Sequence, residues 1–260
     1  MWREYLFPFK EYLHYFLLKE DQHALQSPFA FDMYSGLLKH IKASKEKNQH
    51  LVQRMTMLIQ DAEVLEISDY GAGSKRLKNQ RRKTSSIAKH SSSSAKFAAL
   101  LQYFCTKTPA INVLELGTCL GVSTAFIQEA VKGEFFSFEG STALAVKARA
   151  HFGLERVQFI LGDIRKTLPE FLKTNPKIDF AWIDATHTYE GSMSYFNSLI
   201  PHAHEESIFV IGDIHWSKGM KKAWDTIKSH PKISCSFDFY ECGVLFFKKG
   251  LMTQHYVLSI

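Results

Sequence analysis

No apolar run in this chain approaches the ~18 to 20 residues that a membrane-spanning helix requires, so no transmembrane segment is expected. A signal peptide is not expected either, because Arg3, Glu4, Lys10, Glu11 and Lys19 break up the aromatic amino terminus. Cysteine is scarce. Cys105, Cys119, Cys235 and Cys242 form no Cys-x-x-Cys pair and are too few to staple a chain of this length. These absences predict a reducing, cytoplasmic setting and no membrane partner. No internal repeat is present. What remains is an ordinary globular composition, 45% apolar and 22% charged over 260 residues, sufficient to bury one substantial core.

The net charge of +6 is concentrated in one place. Between Gly71 and Ser94, Lys75, Arg76, Lys78, Arg81, Arg82, Lys83 and Lys89 occur with no acid among them, which leaves the rest of the chain near neutrality. Gly73 and the run Ser91 to Ser94 give this stretch the composition of a linker or lid. It reads either as a solvated loop or as a recruiting surface for an acidic substrate or RNA.

The chain divides at this stretch. Before it, Trp2, Tyr5, Leu6, Phe9, Leu13, Phe16 and Leu17 recur at spacings of three and four, making one apolar stripe on a helix interrupted at Pro8. Further helices are predicted over Phe29 to Ile41 and Gln49 to Gln60, with Ser27 as N-cap and Pro28 in the first turn. Residues 1–84 thus read as a helical extension with a basic linker, and residues 85–260 as a second unit.

From about Ile111 short apolar strands alternate with helices. Strands are expected at Asn112 to Leu116, Glu134 to Phe138, Val157 to Leu161, Asp179 to Ile183 and Ser207 to Ile211, with a helix after each. Ser234 to Tyr240 and Val244 to Lys248 are then joined by only Glu241, Cys242 and Gly243, too short for a crossover. The prediction is an α/β, Rossmann-like sheet of seven strands, mostly parallel, closed by a C-terminal antiparallel hairpin and covered by helices on both faces.

Ligands of such sheets bind beyond the carboxyl ends of the strands. Those ends carry Glu115 and Gly117, Glu139, Gly162 and Asp163, Asp184, and Asp213. Gly117 and Gly121 permit a tight turn before a helix whose free amides face a ligand. A dinucleotide fingerprint needs a glycine where Cys119 stands, which argues against a pyrophosphate. Glu139 follows at about the ~20-residue distance expected of an acid that bonds ribose hydroxyls. A nucleoside without a diphosphate fits S-adenosylmethionine.

Val113 to Thr124, Phe138-Glu139-Gly140, Leu161-Gly162-Asp163 and Ile183 to Gly191 together resemble the successive motifs of class I S-adenosylmethionine-dependent methyltransferases. The likeness is greatest to small bacterial O-methyltransferase-like proteins related to the catechol and caffeoyl-coenzyme A enzymes, and it spans roughly Lys89 to Lys249. It implies that Glu115, Gly117, Thr118, Gly121 and Ser123 surround the amino-acid part of the cofactor. Glu139 with Gly140 takes the ribose, Gly162, Asp163 and Ile164 the adenine, and Asp184 the methionine end.

The acceptor is expected to be a small molecule methylated on oxygen. Candidate catalytic groups are Asp184, His187 and His215, because histidine can accept a proton near neutral pH; Tyr189 and Trp216 either line an acceptor pocket or pack. Related enzymes hold a divalent cation after the fourth and fifth strands, where this chain has Asp184 and Asp213, with one imidazole in reach for Mg2+ or Mn2+. Thr186 and Ile214 stand where such enzymes commonly place further acids or amides. An RNA methyltransferase and a non-catalytic cofactor-binding module are the alternatives, although the strand-four region lacks the Asn-Pro-Pro-Tyr type of sequence used on nucleic-acid amino groups. The N-terminal helices are expected to cap the acceptor site, with Gly71 to Ser94 as hinge; a homodimer contact through them is the rival.

Overall fold

The computed structural model describes residues 2–68, 80–174 and 177–260. Residues 71–79 of the basic stretch, Lys75, Arg76 and Lys78 included, fall outside these residues, whereas Arg81, Arg82, Lys83 and Lys89 of the expected hinge lie in a short strand and a helix.

The chain opens with α1 (Trp2–Leu18), α2 (Pro28–Lys47) and α3 (Gln49–Gln60). Ser27 caps α2 as its sequence position predicts, its Oγ accepting the Ala30 amide. Pro8 does not interrupt α1. It lies inside the helix at the cost of one intrahelical hydrogen bond, and its carbonyl accepts a hydrogen bond from the Tyr240 hydroxyl at 2.8 Å. A small antiparallel sheet follows that the sequence pattern did not suggest, β1 (Val64–Glu66) with β2 (Arg81–Lys83). Then come α4 (Thr84–Ser91) and α5 (Ala95–Thr106), whose N-cap Ser94 accepts from the Phe97 amide.

The main sheet is built from β3 (Asn112–Leu116), β4 (Glu134–Glu139), β5 (Val157–Leu161), β6 (Ile178–Ile183), β7 (Ala203–Gly212), β8 (Cys235–Asp238), β9 (Cys242–Phe246) and β10 (Gln254–Val257). Helices α6 (Val122–Gln128), α7 (Thr142–Phe152), α8 (Ile164–Leu172), α9 (Tyr189–Leu199) and α10 (Lys218–Lys228) alternate with the first strands. The spatial order is β10-β8-β9-β7-β6-β3-β4-β5. Only β9 runs against its neighbours, β7 and β8. The expected α/β architecture is therefore present, with one strand more than the seven predicted: β10 pairs in parallel with β8.

The hairpin turn also differs. It consists of Phe239, Tyr240 and Glu241, with Tyr240 at φ 67, and Cys242 already belongs to β9. The aromatic ring of Tyr240 is what holds it there, stacked on His215 at 5.2 Å between centroids.

Alternation along the strands splits the core in two. Phe180, Trp182, Ile208, Val210, Phe237 and Phe246 face one side and pack with α2, α5 and α6 through residues such as Leu37, Phe104 and Phe126. Leu114, Leu116, Ala181, Ile183, Phe209 and Ile211 face the other, against α8, α9 and α10. Helix α2 is thus part of the core: Tyr34 and Leu37 are buried, the Tyr103 hydroxyl donates to the Met33 carbonyl at 2.8 Å, and Asn48 Nδ2 donates to Gln102 at 2.8 Å. Of the helices expected as a cap, α2 packs on this flank of the sheet, while α1 lies against His215 and Tyr240 in the loops after β7 and β8. No helix among the described residues is long and apolar enough to cross a membrane.

Candidate active site

The carboxyl ends of β3 to β7 open on one cleft of about 710 Å³, within the range of small-molecule sites. Its floor is set by the turn after β3. Gly117 has φ 102, and a Cβ there would come within 2.5 Å of the Asp184 carbonyl oxygen, so only glycine lets the two strand ends approach. Cys119 follows at φ 51 and turns its amide toward Glu139, whose Oε2 accepts it at 2.8 Å. Glu139 Oε1 accepts the Ser141 amide, also at 2.8 Å, so this carboxylate ties together the loops after β3 and β4.

Gly117, Glu139, Gly140, Gly162, Asp163, Ile164 and Asp184 all line the cleft, as their strand-end positions imply. Glu115, Thr118, Gly121 and Ser123 stand behind it. Glu115 is fully buried and accepts from Ser123 at 2.5 Å, Thr124 at 2.6 Å and Ser137 at 2.6 Å. Burial raises its carboxyl to about 7 against the pull of those three hydroxyls. The Thr118 hydroxyl is spent on Ser137, and Gly121 lets the loop close on Ala148 of α7. These four shape the turn; the sequence pattern cannot separate a group that touches a ligand from one that braces the loop.

Asp163 caps α8 through the Arg165 amide at 3.0 Å and pairs with the Arg165 guanidinium at 2.8 Å, which holds its carboxyl below the usual range. Across the cleft, Asp184, His187 and Asp213 present ligand atoms all within 4.8 Å of one another. His187 Nδ1 lies 3.3 Å from Asp213 Oδ2. Burial at the cleft floor raises Asp184 to about 6, with His187 opposing the shift and Asp213 adding to it. Thr186 at φ 64 and Asp213 at φ 56 hold left-handed backbone in the loops after β6 and β7. Such conformations cost energy and concentrate at sites where a side chain must be aimed.

His215 does not join this cluster. It is buried outside the cleft, with Nδ1 3.0 Å from Glu11 and Nε2 2.8 Å from Asp238, which also accepts from Trp224 Nε1 at 3.2 Å. Placed between two carboxylates on different elements, it fastens α1 to the sheet. Tyr189 is likewise outside the cleft, covered by the Lys222 ammonium, whereas Trp216 lines it. The sequence pattern missed Trp182, Phe97 and Glu241 in the lining. Trp182 is 1% exposed, and its Nε1 has no hydrogen-bond partner among the described residues, a buried donor that a ligand oxygen would satisfy. It pairs with Glu115 of β3 in the sheet, a neighbour that its position in the sequence does not reveal.

Residues 114–214 match the family model described as a methyltransferase domain. No curated protein matches the chain. Among solved structures, the chain is similar to an SAH-bound methyltransferase of Podospora anserina, with 17% identity and TM-score 0.51, covering 61% of this chain and 80% of that one. It is similar also to an O-methyltransferase of tomaymycin synthesis from Streptomyces achromogenes in complex with SAM, with 14% identity, TM-score 0.51 and coverage of 61% and 82%. An O-methyltransferase from Bacillus cereus in complex with SAH gives 17% identity, TM-score 0.50 and coverage of 60% and 82%. Sheet order and glycine turn give the chain the fold of the methyltransferases it is similar to, and its residues 114–214 match a methyltransferase domain.

Proposed function

We propose that the chain transfers a methyl group from S-adenosylmethionine to an oxygen of a small-molecule acceptor. The observation that carries this reading is the cluster of Asp184, His187 and Asp213, which opens on the same cleft as Glu139 and the Gly117 turn. Two of the similar structures bind SAH and one binds SAM, and the cleft here suits the same nucleoside.

In this reading Glu139, fixed by two backbone amides, holds the ribose hydroxyls. Asp163 and Ile164 border the adenine, and Asp184 the methionine end. Transfer is an in-line displacement: an acceptor oxygen forms the new bond to the methyl carbon as the carbon–sulfur bond breaks, and the sulfonium becomes a neutral thioether. Positioning supplies most of the acceleration. The hydroxyl proton goes to His187, which Asp213 orients, so this pair serves as base.

The donor set also suits a divalent cation. Two carboxylates and an imidazole within 4.8 Å match the ligand preferences of Mn2+ and Mg2+, and a cation would offset the burial and the Asp213 charge that raise Asp184. Asp184, His187 and Asp213 would hold it; His187 would then be a ligand in place of the base, and the cation would lower the pKa of an acceptor hydroxyl.

The test is transfer of labelled methyl from S-adenosylmethionine to a panel of aromatic diols and monophenols, with and without Mg2+ or Mn2+. Labelled methyl ether supports the proposal. Label found only on RNA or on amines, or cofactor binding with no transfer, would replace it with one of the alternatives.

A further inference from the structure

Helix α1 turns a wide apolar face to solvent. Phe9 is 59% exposed, Tyr12 47%, Leu13 45%, Phe16 50% and Leu17 79%, and their spacings of three and four place them on one side of the helix. The orientation is fixed from the opposite side. There Tyr15 is buried and donates to the Leu258 carbonyl at 2.7 Å, Glu11 meets His215 at 3.0 Å, and the Pro8 carbonyl receives the Tyr240 hydroxyl. A helix held by such ties cannot roll its aromatic side inward.

Charge is distributed in register with this face. No ionisable residue interrupts the arc from Phe9 to Leu17. Lys10 is exposed at one margin, and Lys19 at the other places its Nζ 4.3 Å from the centre of the Phe16 ring. Glu11 is turned away toward His215. Beside Phe7 a groove carries Lys218, Lys221 and Lys222 of α10, with Asp225 paired to Lys221 and Lys222 over the Tyr189 ring.

We propose that α1 lies along an anionic lipid surface, its aromatic and leucine face at the headgroup–acyl boundary and Lys10, Lys19 and the α10 lysines against lipid phosphates. Aromatic rings flanked by lysines whose stems run along apolar surface are the composition that suits this depth. A second copy of the chain complements the face less well. Pairing it with itself would bring the lysine margins together, while Glu11, the acid on the far side of the arc, is already engaged by His215. No helix among the described residues is long and apolar enough to cross a membrane, and α1 has the length and composition of one lying in the interface.

Flotation of the full chain with vesicles tests the proposal. The protein should rise with vesicles of equimolar phosphatidylcholine and phosphatidylserine and far less with phosphatidylcholine alone. Added salt should weaken the association. Lys10→Gln and Lys19→Gln should each lower partitioning about fivefold, and Leu13→Glu with Leu17→Glu about tenfold or more. Circular dichroism and thermal melting of each variant report whether the fold persists. The proposal is overturned if the wild-type chain stays at the bottom with both vesicles, or if folded variants float as well as it does. It is equally overturned if the leucine variant converts a dimer to a monomer by light scattering without altering vesicle binding.

Discussion

Glu115→Gln isolates the cost of the buried carboxylate beneath the glycine turn. In the folded protein burial raises Glu115 to about 7 from the ordinary 4.5. The folded state therefore binds this proton more tightly than the unfolded chain. Its contribution to stability is complete below about pH 4.5 and is lost as pH rises through 7. At ~1.4 kcal/mol per unit, the loss between pH 5 and pH 8 is about 2 to 3 kcal/mol. Glutamine keeps an acceptor oxygen for the hydroxyls of Ser123, Thr124 and Ser137 and does not titrate, so this component should vanish. Asp184, raised by burial in the same direction, titrates in both proteins and cancels in the comparison. The assay is urea denaturation of both proteins at the two pH values. Wild type should lose about 2 to 3 kcal/mol more than the variant on going to pH 8. Equal pH dependence would mean that Glu115 is ionised at no cost, and the account of the buried network would fail.

Gly117→Ala should abolish cofactor binding in calorimetry and cost roughly 1 to 3 kcal/mol of stability, because the turn needs φ 102 and the Asp184 carbonyl occupies the space of a methyl. Normal affinity in that variant would refute the turn's role. His215→Ala should destabilise by about 3 to 5 kcal/mol in urea, since Glu11 and Asp238 lose their shared partner. The same variant, once folded, should keep turnover within about twofold, where loss of a general base would cost roughly a hundredfold or more. Asp213→Asn should weaken Mn2+ binding, followed by electron paramagnetic resonance, about tenfold or more; an unchanged titration would remove the cation from the cluster.

Much of this architecture is legible in the sequence because burial forces it to be. Asn112–Leu116 and Ile178–Ile183 are covered on both faces, so they read as continuous apolar runs, and the glycine turn and the acids after the strands stand out against them. Edge elements leave a weaker trace. β10 is four residues long with only Tyr256 buried, and β1–β2 is three residues long on each side with Arg81 and Lys83 exposed, so neither is long enough to read as a strand. The N-terminal helices read as separate because their stripe of apolar residues does not reveal its partner. For α2 that partner is α5 and the sheet face, through Leu37 and Tyr103, whereas α1 keeps Phe9, Leu13, Phe16 and Leu17 exposed. At the site, residue type predicted which loops matter but not which way each side chain turns. Glu115 and Glu139 both follow the strand-end rule, yet one is buried under hydroxyls and the other faces the cleft. His187 and His215 are both loop histidines, and only their long-range neighbours Asp213, Glu11 and Asp238 assign them different roles.

The central claim is that the cleft binds an adenosyl sulfonium cofactor through Glu139, and isothermal titration calorimetry tests it most directly. The full chain should bind S-adenosylmethionine and S-adenosylhomocysteine and give no heat with NAD, and Glu139→Ala should weaken both by roughly 1 to 3 kcal/mol. Binding of NAD in preference to S-adenosylmethionine, or unaltered S-adenosylhomocysteine affinity in the alanine variant, would contradict it.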